Sequence, residues 1–260
     1  DRAPDRRAHD MKAPPFAYAA PSTMEEALAL LAAHEDAKVL AGGQSLMPAL
    51  NLRLAAPSVL VDINGIAELS EVSVTPTELR LGGSLSHADP AAEWPAVCLA
   101  ADAVMEIRGA AGTRHVPSEE FSLGVFTTAL QPGELLVAIR FPLARGRAGF
   151  AEIARRHGDF AMVGAAVTAD VSPDGRCADA RVVLFGASDR PIRRRAAEER
   201  LRGQVPSAAL LRDAAALAAE GFDPPSDLHA SAEYRRRVAP VMVRRALADA
   251  LSLPEARLAA

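Results

Sequence analysis

Residues 38–63 read KVLAGGQSLMPALNLRLAAPSVLVDI, and this stretch decides how the rest of the chain is read. A short strand, Lys38 to Leu40, whose apolar run is Val39 and Leu40, enters the adjacent glycines Gly42 and Gly43. Gln44 and Ser45 follow, then a helical stretch from Pro48 to Leu54, with Met47, Leu50 and Leu54 expected to face inward. Ser58 to Ile63 reads as a second strand. Two glycines in a row permit positive φ and let the main chain approach a ligand closely. Successive N–H groups in such a turn can form a concavity that holds a phosphate or pyrophosphate. Taken with the helix start at Pro21-Ser22-Thr23 and the apolar positions Leu28, Leu30 and Leu31, the pattern predicts a compact βαβ-like lobe.

The bulk properties narrow the partners. Half of the 260 residues are hydrophobic, but aromatics make up only 4%, so the core must be aliphatic and rich in alanine. A formal net charge of −4 gives no electrostatic case for nucleic acid. Cys98 and Cys177 are two lone thiols, too few to ligate an iron–sulfur cluster or a structural zinc. No apolar run reaches the roughly 20 residues needed to span a bilayer, and a cytoplasmic location is expected. The polar residues 1–10, DRAPDRRAHD, precede Met11 and have no apolar core of a secretory signal; a disordered leader is expected there.

After residue 67 the text changes to alternation. LSEVSVTPTELRLGG predicts a hairpin turning at Thr75-Pro76-Thr77, Ala92 to Ala101 a helix, and residues 103–116 a second hairpin across Gly109 and Gly112. LLVAIRF, residues 135–141, is a strand. ARGRAG, residues 144–149, reads as a linker. Three strand-like runs, FAEIARR, AMVGAAVTADV and ARVVLFGAS, come next, then helices at 196–202, 208–219 and 232–251. Pro240 is expected to kink or split the last one. Strands followed by helices indicate a separate α+β domain.

Five segments in order, AGGQSLMP, GGSLSHADPAAEWPA, QPGELLVAIRFP, RRHGDFAMVGAAV and AEYRRRVAPVMVRRAL, resemble the FAD-binding medium subunit of the molybdenum hydroxylases. That is the carbon monoxide dehydrogenase and xanthine dehydrogenase group. The resemblance implies an α+β fold: a two-lobed FAD-binding domain of the PCMH, vanillyl-alcohol-oxidase-like type, then a C-terminal three-stranded antiparallel sheet with helices. It divides the chain into lobe 1 at 11–66, lobe 2 at 67–143 and a C-terminal domain at 149–256. It also implies FAD as cofactor, a small [2Fe–2S] subunit and a large molybdopterin subunit as partners in a dimer of heterotrimers, and electron transfer as the activity. No residue of this subunit is then expected to be catalytic, because the cofactor performs the redox step.

By the same resemblance Ala41, Gly42, Gly43, Gln44, Ser45 and Leu46 form the first FAD loop, whose amides hold the pyrophosphate. Gly82, Gly83 and Ser84 match the end of the second, usually written TIGGN or TIGGS, and the two diglycine bends, brought together by folding, are expected to offer their main-chain amides to the diphosphate. Glu93, and less strongly Asp89, match acidic positions along the sugar-like chain of the flavin. Phe160 matches a wall against the isoalloxazine, and Leu136 is expected to line the same pocket.

One departure stands out. Leu79-Arg80-Leu81 runs straight into Gly82-Gly83-Ser84, where the family has several tens of residues between the LRLG strand and the second loop. The strand's own glycine reads as joined to the loop's pair. The expectation is a smaller second lobe, open apolar faces and weaker or absent FAD binding. The alternative reading is a non-catalytic remnant or assembly subunit without flavin.

Overall fold

The computed structural model describes residues 13–43, 46–83, 91–125, 127–143, 146–156 and 159–253. Lobe 1 is a parallel sheet of β1 (Ala17–Ala19), β2 (Lys38–Leu40) and β3 (Val59–Asp62), in the order β1-β3-β2. Helix α1 (Met24–Ala33) crosses between β1 and β2. Thr23 caps it by accepting from the Glu26 N–H at 3.2 Å, and the Glu26 carboxylate reaches back to the Ser22 N–H at 2.9 Å. This reciprocal box fixes the start that the sequence announced. Met24, Ala27 and Leu31 pack on Val59, Val61, Ile63 and Ile66.

Helix α2 (Leu46–Asn51) lies between β2 and β3. It buries Leu46 and Leu50, while Met47 and Leu54 are exposed, against the expectation that both face inward. The helix ends at Asn51 and Arg53 adopts φ of 57°, which turns Leu54 outward.

Lobe 2 is a five-stranded sheet in the order β4-β5-β10-β6-β7. Its first hairpin is β4 (Val72–Val74) and β5 (Glu78–Gly82). After α3 (Glu93–Ala100) come β6 (Val104–Gly109) and β7 (Gly112–Pro117). A short α4 (Ser118–Phe121) leads into a small ribbon, β8 (Ser122–Gly124) with β9 (Thr127–Thr128). The chain then returns through the sheet's centre as β10 (Leu135–Pro142).

Strand β10 joins the two lobes. Leu135 and Val137 belong to the lobe 1 core, whereas Leu136, Ile139 and Phe141 belong to the lobe 2 core. Strict alternation could not put positions 136 and 139 on one face. The register shift between Leu136 and Ala138 is what allows it. Cross-strand neighbours Val72, Leu81, Ile139, Met105 and Val116 form one apolar row. Helices α3 and α4 contribute Cys98 and Phe121 to that core, but Val72 and Val74 on the edge strand stay exposed.

The C-terminal domain is an antiparallel sheet of β11 (Arg147–Ile153), β12 (Val163–Val171), β13 (Cys177–Phe185) and β14 (Ile192–Arg193). The three expected strands are present, and the two-residue β14 extends them to four. Helices α5 (Arg195–Leu201), α6 (Ala208–Ala219) and α7 (Ala232–Ala250) cover one face. The other face receives α3: Ala96, Leu99 and Ala100 pack with Ala161, Ala166, Val183 and Phe185. Helix α7 runs unbroken through Pro240, so the expected split does not occur. Ala239, Met242, Val243, Ala246 and Leu247 are buried on either side of the proline, and that packing outweighs the one lost backbone hydrogen bond.

Candidate cofactor site

The first glycine bend leaves the carboxyl end of β2, beside the carboxyl end of β3. In open parallel sheets this edge is where ligands bind. Its hydrogen bonding is lopsided. The Leu40 carbonyl accepts from the Ile63 N–H at 3.0 Å, and the Gly43 carbonyl from the Met47 N–H at 3.0 Å. The Ala41 carbonyl accepts from Asn64 Nδ2 at 2.9 Å. Among the described residues, the N–H groups of Gly42 and Gly43 have no partner. A Cβ at Gly42 would meet nothing within 4 Å, and Gly43 sits at φ of +72°. Among the described residues the turn therefore has the Leu40, Ala41 and Gly43 carbonyls engaged inside the protein and the Gly42 and Gly43 donors without a partner. That polarity suits an anion.

Behind the bend stands a short relay. Asn64 Nδ2 also donates to Asp62 Oδ1 at 2.7 Å, and the Asn64 N–H donates to the same oxygen at 2.9 Å. The Tyr18 hydroxyl donates to Asp62 Oδ2 at 2.5 Å. That bond, helped by the Asn64 N–H, holds the Asp62 carboxyl below the usual carboxylate range. None of Tyr18, Asp62 and Asn64 was among the residues expected from sequence. The signal was present in DIN at the end of a strand, since aspartate there commonly accepts from the amide two residues on.

The second bend is built differently. Gly82 is the last residue of β5, paired with Ala138 of β10. Its N–H donates to the Glu71 carbonyl at 2.6 Å, and the Gly83 N–H donates to the Val137 carbonyl at 3.0 Å. Both amides are committed to the fold, which corrects the expectation that both diglycine bends offer their amides to a diphosphate. Gly82 is needed for another reason: a Cβ there would lie 2.7 Å from the Glu68 carbonyl and 2.8 Å from that of Glu71. The two bends do border one apolar cluster. Ala41 packs against it, and Val137, whose carbonyl holds Gly83, belongs to it.

The remaining expected residues divide. Leu46 is buried with Leu50 and Leu60. Leu136 is 1% exposed, sealed in the lobe 2 core, so its side chain has no surface for a cofactor. The shift in β10 turned it inward, and that corrects its assignment to the pocket. Glu93 is half-buried at the first position of α3, and Phe160 is 60% exposed. Phe160 precedes Ala161, which shares a buried cluster with Ala96 of α3, so both lie on the side of α3 that faces the C-terminal domain. Gln44, Ser45, Ser84 and Asp89 lie outside the described residues. A cavity of about 220 Å³ between α3, α4 and residues 189–193 is lined by none of the expected residues. Burial pushes the Cys98 thiol up to about 12, so it is not an available thiolate.

Comparison with known proteins places this geometry. The FAD binding domain of molybdopterin dehydrogenases matches residues 14–87 and again 80–144, and the CO dehydrogenase flavoprotein C-terminal domain matches 148–250. Residues 80–87 are thus matched twice, at the seam where the sequence suggested a junction. The chain is 37% identical to 6-hydroxypseudooxynicotine dehydrogenase complex subunit alpha of Paenarthrobacter nicotinovorans, over 93% of this chain and 96% of that protein. That alignment spans 284 positions, more than the 260 residues of this chain, so the relative carries residues with no counterpart here.

Among solved structures, quinoline 2-oxidoreductase of Pseudomonas putida 86 superposes with a TM-score of 0.88 at 34% identity, covering 93% of this chain and 99% of that one. Reconstituted CO dehydrogenase of Oligotropha carboxidovorans also gives 0.88, at 30% identity and with coverage of 94% and 100%. The chain belongs to the family of FAD-binding medium subunits of the CO dehydrogenase and xanthine dehydrogenase type of molybdenum hydroxylases.

Proposed function

We propose that this chain is the flavin-carrying, electron-transfer subunit of a heterotrimeric molybdenum hydroxylase in the cytoplasm. Its partners are a small [2Fe–2S] subunit and a large molybdopterin subunit, assembled as a dimer of heterotrimers. When bound, FAD supplies the redox chemistry, taking electrons from the iron–sulfur subunit and releasing them to an external acceptor. The residues of this chain bind and orient it. The free amides of Gly42 and Gly43, continued by Gln44 and Ser45, take the diphosphate. Glu93 accepts from hydroxyls of the ribityl chain or ribose, and exposed Phe160 packs on the ring. The second bend contributes close main-chain approach rather than the amides of Gly82 and Gly83, and Ser84 and Asp89 keep the cofactor-binding roles that the resemblance implies for them.

The observation that carries this reading is the first bend, where the Ala41 and Gly43 carbonyls are satisfied internally while two successive amides have no partner among the described residues. Half of the diphosphate cradle expected of the family rests on that bend alone. Affinity for FAD is therefore lower than in relatives with the full segment. The test is titration of the purified chain with FAD, followed by flavin absorbance after ultrafiltration. Uptake of one FAD per chain, displaced by inorganic pyrophosphate, is the expected result. No uptake at saturating FAD overturns it and favours the second reading, a non-catalytic assembly subunit. The commitment of both second-bend amides to the sheet is what speaks for that alternative.

A further inference from the structure

A trans peptide is planar, and its C=O and N–H point in opposite directions. Fixing the oxygen of one peptide unit therefore fixes the direction of the hydrogen on the next residue. The Ala41–Gly42 unit is held in this way: Asn64 Nδ2 binds the Ala41 carbonyl at 2.9 Å on one side, so the Gly42 N–H faces the other. A Cβ at Gly42 would find open space, so no neighbour crowds the residue. Without such a hold, a glycine-glycine turn exchanges between backbone wells with little steric penalty, and the amide would aim nowhere in particular.

The hold itself is determined at every step. The Asn64 amide nitrogen faces two acceptors, the Ala41 carbonyl and Asp62 Oδ1, so its orientation is set by chemistry. Asp62 in turn accepts the Asn64 N–H through Oδ1 and the Tyr18 hydroxyl through Oδ2. The three residues come from β1, the end of β3 and the turn after it, and they converge on a bend that follows β2. Lys38 is exposed at the start of β2 and has no assigned bond to any of them.

We infer that Tyr18, Asp62 and Asn64 form a positioning relay that pins the Ala41 carbonyl and so aims the Gly42 amide at the diphosphate of the cofactor. The inference rests on the proposed flavin-binding reading and assigns to it residues that act on the loop, Asn64 directly and Tyr18 and Asp62 through it, and not on the ligand. Loss of the relay lowers affinity for dinucleotide while leaving the folded protein in place, because all three residues are at or near the surface.

The experiment compares wild type with Asn64→Leu, which keeps the shape and removes the donor, and with Tyr18→Phe, which removes only the hydroxyl. Each is titrated with FAD and with riboflavin, and the melting temperature of the flavin-free protein is recorded. The expected loss in FAD affinity is about fivefold for Asn64→Leu and about twofold for Tyr18→Phe, the scale of one hydrogen bond and of a partner once removed. Riboflavin, which has no phosphate, should bind all three forms equally, and the melting temperatures should agree. A merely structural role would move riboflavin affinity and melting together with FAD. Equal FAD affinity in wild type and Asn64→Leu overturns the relay alone. A wild-type chain that takes up no FAD overturns the binding reading and the relay with it. Should Asn64→Leu not fold, which itself contradicts the relay's purely orienting role, Tyr18→Phe still decides whether the hydroxyl acts through Asp62.

Discussion

The two diglycine bends carry the same dipeptide and do opposite things with it. At Gly42-Gly43 the Leu40, Ala41 and Gly43 carbonyls are taken and the amides have no partner among the described residues; at Gly82-Gly83 both amides are taken. The first pair leaves a strand at the carboxyl edge of a parallel sheet, where the next partner is a helix and a turn. The second ends a strand inside an antiparallel sheet, where Glu71 and Val137 supply acceptors. A glycine pair is thus not a phosphate loop by composition. It becomes one when the surrounding fold uses up its oxygens and leaves its hydrogens.

The largest test of this contrast is to give each bend a methyl group. Gly82→Ala would drive Cβ into two backbone carbonyls, at 2.7 and 2.8 Å, which cannot rotate away. Destabilisation by about 1–3 kcal/mol is expected, read as a lower midpoint in urea. Gly42→Ala meets nothing within 4 Å and should leave that midpoint within about 0.5 kcal/mol of wild type. Its effect should appear only in FAD binding, where the methyl occupies the approach to the amides. Equal midpoints for both variants would mean that the second bend is not locked into the sheet.

Much of this was readable beforehand, and the failures share a cause. Thr23 with Glu26, the strand LLVAIRF and the turn Thr75-Pro76-Thr77 are local signals, and each produced its element. The junction at Gly82 was also legible, because one strand glycine and one loop pair make three glycines and only two, Gly82 and Gly83, are present. What could not be read was which partners the glycine amides would find. Gly83 bonds to Val137, more than fifty positions away, and nothing near Gly83 encodes that. Leu136 failed for a related reason: the shift within β10 inverts which face it presents, and strand alternation gives no warning of it. The two-residue β14 and the β8–β9 ribbon are too short to have a period at all. At the site, the glycines were visible because their residue type is rare in strands. For Asp62 and Asn64 the sequence offered only the local turn signal DIN, and for Tyr18 none, since the three act by bonding to one another across separate elements.

A middle-sized effect separates conformation from clash at the first bend itself. Gly43 has φ of +72°, and a Cβ there would lie 3.3 Å from Leu40 Cδ1 and from Met47 Cγ, both flexible side-chain ends. Gly43→Ala should therefore cost about 1–2 kcal/mol, mostly for the left-handed backbone. Gly43→Asn should cost less, because asparagine visits that region more readily. If Ala and Asn prove equally costly, the side-chain contacts and not the backbone conformation govern the position.

The smallest expected effect uses pH, because the first bend is backed by an ionisable side chain, that of Asp62. The Tyr18 hydroxyl and the Asn64 N–H hold the folded Asp62 carboxyl below its ordinary range. Such a group contributes fully above its unfolded pKa, about 3.9, and the contribution is lost as pH falls through the lower folded value. FAD affinity should accordingly be flat from about pH 8 to pH 5 and should weaken only below about pH 4. Other carboxylates titrate in that window, among them Asp36 and Glu26, whose pKa values are also lowered by hydrogen bonds. The informative quantity is the ratio of wild type to Asp62→Asn at each pH. That ratio should favour wild type by a few-fold at neutral pH and should narrow towards one in acid, as Asp62 takes up its proton. A constant ratio across the range would mean that the charge on Asp62 has no part in holding the bend, and that Asn64 pins the Ala41 carbonyl unaided.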